Sequence, residues 1–368
     1  MEQFSTAVTK LIQKQDLSYD EMNYYFRKIM NNEETEMHQG AFLSALAAKG
    51  ESPEEIKAVW QCIMDLDTVV AKPNVSVPVV ENSGTGMDRL KTFNISSLAA
   101  LCAAADGVTI ARHGARAITS KCGAVDVLES AGIFVDAEAV GVKQSIEEAG
   151  IGIFNGMSPR IHPQALGRIL SQISFGTVLN IAASLANPAM PEYAVRGVYE
   201  KEMVLPVAKI MKEIGYKRAY VVCGLNSDGI SMIDEASTIG QTAYAYLSED
   251  GTIEQGMFTP ESAGLRMTTA EEIKTCNSVE ESADCFIKVL GGKGTQAQND
   301  IVALNAALIF LVGGQVDSIR EGCDKAKEML FGGQALGKLR QWATVQRDPE
   351  NNYAGILKLE KLMERNAL

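Results

Sequence analysis

The sequence predicts an α/β protein with a small all-helical N-terminal part and a large α/β part from about residue 73 onward. Three observations carry that expectation. Residues 1 to about 72 show helix-start signals followed by apolar stripes of helical period. The stretch "AKPNVSVPVVENSG" then changes character, and short apolar runs alternate with helical segments. A chain of 368 residues is also too long for one small core, so two units are expected.

In order along the chain, "LSYDEMNYYFRKIM" opens with a capping box, Ser18 to Glu21, and places Met22, Tyr25, Phe26, Ile29 and Met30 on one face. "SPEEIKAVWQCIM" repeats the device with Ser52, Pro53 and Glu55, ahead of a stripe of Ile56, Val59, Trp60 and Ile63. Both stripes are read as core or dimer packing. Val75, Val77, Val79 and Val80 predict a strand, and Gly84 starts a loop. "NISSLAALCAAADG" predicts a helix closed by Gly107, and "VTIA" a short strand. Helix and strand alternate through "VDVLESAGI" and "VKQSIEEAGIGIF". "KRAYVVCG" is a further strand, followed by a polar loop. Helix-start signals recur at Thr269–Glu272 and Ser278–Glu281, and residues 300–331 suit a buried helix. The expected division is a helical domain of 1–72 joined by helices from about 164–202. The α/β domain takes 73–163 and 203–368.

A net charge of -12 argues against general nucleic-acid or anionic-membrane binding. No apolar run reaches a membrane span, and "MEQFSTAVTKLIQK" lacks a signal-peptide core, so the expected location is the cytoplasm. Seven cysteines with no CxxC pair, and three histidines, give little support to a zinc site. Reduced, mostly buried thiols are the simpler reading. Cys122, beside Lys121, could have a lowered pKa, but a packed small residue fits better.

Against the acidic whole, one stretch gathers cations. Residues 84–123 hold Arg89, Lys91, Arg112, Arg116 and Lys121 against Asp88 and Asp106, a local +3. The same stretch contains a strand, a glycine loop at Gly84 and Gly86, and a helix start after Asn94. Backbone amides in such a unit approach and bind anions. The cations would offset a polyanionic ligand. Farther on, Asp234 and Glu235 are adjacent acids in "SDGISMIDEASTIGQT". Alone they read as solvated charge; beside a phosphate loop they suit Mg²⁺, an oxygen-seeking ion that retains waters.

At these residues the sequence resembles the anthranilate phosphoribosyltransferases, within glycosyltransferase family 3 and the class II nucleoside phosphorylase fold. The resemblance covers most of the chain, through "GTGMDRLKTFNISS", "ARHGARAITSKCGAVDVLESAGI", "SPRIHPQAL", "VLNIAASLANPA", "DEASTIGQT", "FTPESAGL" and "ALNAALIFL". It implies a helical domain and an α/β domain with a central mixed sheet flanked by helices, the site between them, and a cytoplasmic homodimer paired through the helical domains. It implies transfer of 5-phosphoribose from phosphoribosyl pyrophosphate (PRPP) to anthranilate or a related aromatic acceptor, with Mg²⁺, release of pyrophosphate and a place in tryptophan biosynthesis. Carried over by residue, Gly84, Thr85, Gly86 and Asp88 match the pyrophosphate loop, and Asn94 and Ser96 an N-x-S-T segment. Arg112, His113 and Gly114 match a K-H-G-N segment. Lys91, Thr92, Ser97 and Lys121 complete the expected substrate-binding set. Ser96, Asp234 and Glu235 are the expected metal ligands. No side chain is assigned as a catalytic acid, base or nucleophile. A weakly basic arylamine needs none, because the protein chiefly positions reactants and manages charge. His113 is read as ordering its loop through a ring hydrogen bond.

The sequence departs from the family in several places. Met87 stands where the family has glycine, Ala115 replaces the asparagine of K-H-G-N, and Ala124 replaces a serine. Ala183 and Ser184 replace a glycine and a proline. The arginine that holds the anthranilate carboxylate aligns with Leu170; the segment from His162 to Asn180 is shorter than usual, and Arg168 or Arg160 could reach the same space. Extra residues including Asp228 precede Asp234. Two acceptor readings follow: an anthranilate enzyme with a rearranged carboxylate clamp, or a paralogue with the phosphoribosyl site kept and the acceptor changed. The lost asparagine and arginine tip the balance slightly to the second. A non-catalytic homologue and a nucleoside phosphorylase are the remaining alternatives.

Overall fold

The computed structural model describes residues 4–86, 90–116, 121–173 and 175–368. Helices α1 (Phe4–Ile12), α2 (Tyr19–Met30), α3 (Glu36–Lys49) and α4 (Pro53–Leu66) form the N-terminal part. The capping boxes at Ser18 and Ser52 both close, and Thr35 caps α3 by accepting from the His38 amide. The stripe of α2 is wholly buried, as are Ile56, Val59 and Ile63 of α4. Trp60 is partly buried and donates its indole N–H to the Leu185 carbonyl at 3.1 Å.

The α/β part opens with β1 (Val79–Gly84), α5 (Ile95–Ala105) and β2 (Thr109–Gly114). It continues through α6 (Ala124–Ser130), α7 (Ala139–Ala149), β3 (Ile151–Asn155), α8 (Leu166–Leu170), α9 (Leu179–Leu185) and β4 (Tyr193–Gly197). Then come α10 (Val204–Glu213), β5 (Arg218–Leu225), β6 (Met232–Ile233), β7 (Thr242–Leu247) and β8 (Ile253–Phe258). The chain ends with α11 (Val279–Leu290), α12 (Gln296–Val312), α13 (Ile319–Phe331), α14 (Gln334–Val345) and α15 (Ala354–Arg365).

The sheet runs in the order β3-β2-β1-β4-β5-β7-β8, with β6 paired to the end of β5. Neighbours from β3 to β5 are parallel, and β6, β7 and β8 join antiparallel, so the sheet is mixed. One face packs on α5 and the near-continuously apolar α12, with α11, α13 and α14 around them. The other face meets α10 and, through Ala194, Val221 and Ala245, shares a core with α1–α4, α8 and α9. The chain leaves β1 toward β2 and β3, then returns to place β4 on the opposite side. That reversal opens a crevice at the carboxyl ends of the strands, where ligands bind in open α/β sheets.

Several elements differ from expectation. Val75 and Val77 lie outside β1; Val77 is half-exposed and gains no burial by pairing. Residues Ala270–Ile273 make one 3₁₀ turn, because the capping box at Thr269 is followed by a segment drawn off to pair with Thr92. The single buried helix expected over 300–331 is two, broken at Gly313 and Gly314. Strand β4 falls inside the stretch expected to be helical, because its apolar run is short and contains Arg196. Strands β7 and β8 also went unread.

Candidate active site

The loop after β1 is shaped by what packs on it. A Cβ at Gly84 would lie 2.2 Å from Asp234 Oδ2, and one at Gly197 would lie 1.6 Å from the Asp234 carbonyl oxygen. At Gly197 the clash is with backbone, so only glycine there lets the 234–235 segment lie against β4; at Gly84 a side chain would displace the Asp234 carboxylate. The Gly86 amide donates to Asp234 Oδ2 at 2.7 Å, and Lys91 Nζ donates to the Gly86 carbonyl at 3.2 Å. Pairing of β6 with β5 delivers Asp234 and Glu235, and Asn305 on α12 fixes the next residue by bonding both backbone groups of Ala236.

Helix α5 starts at Ile95, beside this loop. Arg112, buried at the end of β2, donates to Ser96 Oγ at 3.0 Å and to Ser97 Oγ. Burial pulls its guanidinium pKa down to about 10, opposed by Glu235 and Glu81, so it stays charged at neutral pH. Arg112 therefore presents Ser96 to the cavity, while Ser97 is buried beneath it. Asn94 lines the cavity, and its side-chain amide reaches the Cys122 carbonyl at 3.5 Å.

His113 belongs to β2 and is not a loop residue. Its Nε2 lies 3.1 Å from His162 Nε2, and His162 Nδ1 lies 2.9 Å from the Asp67 carbonyl. That carbonyl can only accept, so His162 donates from Nδ1, and His113 donates from Nε2. Burial first, then the neighbouring His162 ring, pushes the His113 pKa down to about 3. A neutral ring orders β2 against the 155–162 segment and holds no exchangeable charge near pH 7.

The cation cluster is smaller than the count over 84–123 implies. Arg116 borders the cavity, but its guanidinium pairs with Asp126 at 3.1 Å and Glu129 at 2.7 Å, acids outside that window. Lys121 points to Asn277 Oδ1 at 3.4 Å and does not line the cavity. Among the described residues, Lys91 and Arg112 are the other cations that line the cavity. Met87, Asp88 and Arg89 lie outside the described residues. The Cys122 thiol lines the cavity with its pKa pushed up by burial to about 11, so its neighbour Lys121 does not activate it.

These groups border one cavity of about 310 Å³, within the range of small-molecule sites. Gly84, Thr85, Gly86, Lys91, Thr92, Asn94, Ser96, Arg112, His113, Gly114, Asp234 and Glu235 all line it. The opposite end is apolar: Leu166 and Leu170 of α8, Leu179 and Ala183 of α9, and Met157. Neither proposed replacement arginine reaches it. Arg168 donates to the Ile29 carbonyl at 2.6 Å and to Gln39 Oε1 at 2.8 Å; Arg160 pairs with Glu138 at 2.9 Å. Asp228 holds an exposed turn by accepting from the Ile230 and Ser231 amides.

One buried network went unread. Arg196 of β4 bonds Glu81 of β1 at 3.0 Å and the Ser184 carbonyl at the end of α9 at 3.0 Å. Glu81 also accepts from Ser83 Oγ at 3.0 Å and from the Tyr216 hydroxyl at 2.6 Å. The only sequence signals were charges inside apolar runs, Glu81 in "VVEN" and Arg196 in "YAVRG".

Residues 5–66 match the glycosyl transferase family, helical bundle domain, and residues 76–336 match the glycosyl transferase family, a/b domain. Anthranilate phosphoribosyltransferase from Persephonella marina is 34% identical over 348 residues, covering 91% of this chain and 98% of that protein. The enzyme of the same name from Methanosarcina barkeri is 37% identical over 339 residues, covering 92% and 89%. The chain belongs to the anthranilate phosphoribosyltransferase family. Among solved members, the Thermus thermophilus enzyme superposes with a TM-score of 0.80 at 30% identity, covering 93% of this chain and 99% of that one. The Saccharomyces cerevisiae enzyme in complex with PRPP and Mg also gives 0.80, at 22% identity, over 93% and 97%. The small helical part, the large α/β part and the mixed sheet are those of the family's fold.

Proposed function

We propose that this chain transfers 5-phosphoribose from PRPP to anthranilate or a related aromatic acceptor, with Mg²⁺, releasing pyrophosphate. The observation that carries the proposal is the Asp234 carboxylate seated on the Gly86 amide, facing the same cavity as the Ser96 hydroxyl held by Arg112. The named activity of the relatives supports it.

The donor set fits Mg²⁺. Asp234, Glu235 and Ser96 offer hard oxygens, and the described residues hold no group of three or more His, Cys, Asp or Glu side chains that would form a closed protein cage. An ion that keeps waters and binds partly through substrate phosphates needs no such cage. Bound there, Mg²⁺ would neutralise charge on the departing pyrophosphate. The protein supplies position and field. Backbone at Gly84–Gly86, Lys91 and the α5 N-terminus face the phosphates, and Arg112 supports the developing anion through Ser96. The neutral His113 donates to His162 and takes no proton from the acceptor.

The same reading gives Thr85, Thr92, Asn94 and Gly114 substrate-binding roles, and Ser97 and Lys121 supporting ones. The helical part, α1–α4 with α8 and α9, would act as a domain that closes the site and pairs in a homodimer. Exposed Ile12, Met37 and Tyr24 on its helices support an interface. No helix among the described residues is long and apolar enough to cross a membrane, and we place the chain in the cytoplasm, in tryptophan biosynthesis or a related route. The test is pyrophosphate release from PRPP and Mg²⁺ across an aromatic-acceptor panel. No release with any acceptor, together with phosphate-dependent nucleoside cleavage, would replace the proposal with a nucleoside phosphorylase.

A further inference from the structure

Among the described residues, the charged linings of the cavity are Lys91, Arg112, Arg116, Asp234 and Glu235, and none lies on α8 or α9. The cations among them are all on the loops and strand ends of the sheet. Arg116 is committed to Asp126 and Glu129, and Arg112 to Ser96 and Ser97. At the α8–α9 end the walls are Leu166, Leu170, Leu179 and Ala183.

Among the described residues, the polar groups at that end are neutral or already paired, and none is a charged donor. Asn180 Oδ1 accepts from the Thr177 amide at 2.9 Å. Ser184 Oγ donates to the Ile181 carbonyl at 2.8 Å and accepts from Arg196. Arg196 is itself neutralised by Glu81. His113 is held neutral. An anionic group entering here would leave water without a charged or bidentate donor in return, which strongly disfavours it.

We infer that the acceptor is an uncharged aromatic amine or azole, and that Leu170 is the residue that discriminates against an acceptor carboxylate. The inference rests on the phosphoribosyl-transfer reading and narrows its acceptor. In the transfer, the acceptor nitrogen lone pair forms the bond to C1 of the ribose. The bond from C1 to the pyrophosphate oxygen breaks, its electron pair leaves with pyrophosphate, and the nitrogen sheds one proton to water.

The test uses an isosteric pair that differs in charge, anthranilate and 2-aminobenzamide. Their affinities are measured by calorimetry on the full chain saturated with PRPP and Mg²⁺. The expected result is at least tenfold tighter binding of 2-aminobenzamide, and a reversed order in Leu170→Arg, with PRPP binding by the variant confirming that it is folded. Equal affinities, tighter binding of anthranilate, or no measurable binding of either by the unmodified chain would overturn the inference and leave phosphoribosyl transfer standing. Failure of the unmodified chain to bind PRPP at all would remove that reading and this inference together.

Discussion

The glycine-loop end of the cavity is built from three short pieces, 84–86, 94–96 and 234–235, each of a chemically distinctive composition, whereas the α8–α9 end is built from apolar residues within 166–183 that carry no such signature. At the first end, Gly84–Gly86, Asn94–Ser96 and Asp234–Glu235 each carry a chemical reason for their residue types within a few positions. At the second, Leu166, Leu170, Leu179 and Ala183 look like ordinary apolar residues of amphipathic helices. The glycine-loop half is constrained by charge and backbone geometry, while the apolar half can change with less cost to the fold.

The largest expected effect comes from breaking the element beneath both ends. Arg196 joins β1, which carries the glycine loop, to the end of α9. Removing one partner of a buried ion pair typically costs about 3–5 kcal/mol, so Arg196→Met should lower unfolding stability by that much in denaturant titration. Glu81→Leu combined with Arg196→Met should recover part of the loss, because no buried charge is then stranded. A single variant as stable as the parent would show that the two ends are not tied through this pair.

The next tests one end alone. Asp234→Asn with Glu235→Gln should lower Mg²⁺-dependent pyrophosphate release by at least about 100-fold, the scale of losing a principal electrostatic contact, with the thermal midpoint little changed. Wild-type-like turnover in the double variant would remove the metal assignment. The strand between the ends supplies a third, weaker test. His113 is neutral when folded, its pKa pushed to about 3, and takes a proton near pH 6.5 when unfolded. The unfolded state therefore binds more protons between these values, and stability falls as pH drops through that window, by at most about 1.4 kcal/mol per pH unit from this ring. His113→Gln should flatten the slope of stability against pH; an unchanged slope would assign it to other groups.

How much was legible follows from the same contrast. The capping boxes at Ser18 and Ser52, the strand–loop–helix at 79–105 and the acidic pair were readable because each is a local pattern with a local cause. The excess of cations was overread, since the acids that pair with Arg116 lie farther along, at Asp126 and Glu129. Strand β4 and the Arg196–Glu81 pair were missed because a buried ion pair joins two strands far apart in sequence, and neither residue alone signals its partner. Whether Arg168 or Arg160 could serve as a carboxylate clamp also needed coordinates. Leu166 and Leu170 face the cavity, so the helical period puts Arg168 on the other side of α8, where it meets Ile29 and Gln39. The smallest expected effect concerns Lys91, whose contact to the Gly86 carbonyl places it at the loop. Lys91→Ala should weaken PRPP binding by about 1 kcal/mol, as for one modest charge-assisted contact, and unchanged calorimetric affinity would show it to be solvated.

On the proposed function, the loop after β1 and the acidic pair together hold PRPP through a divalent ion. Calorimetric titration of the unmodified chain with PRPP, in Mg²⁺ and then in excess chelator, tests it most directly. The expected result is saturable one-site binding in Mg²⁺ that weakens at least tenfold when the ion is withdrawn. Equal affinity in both conditions, or no binding in either, would contradict it.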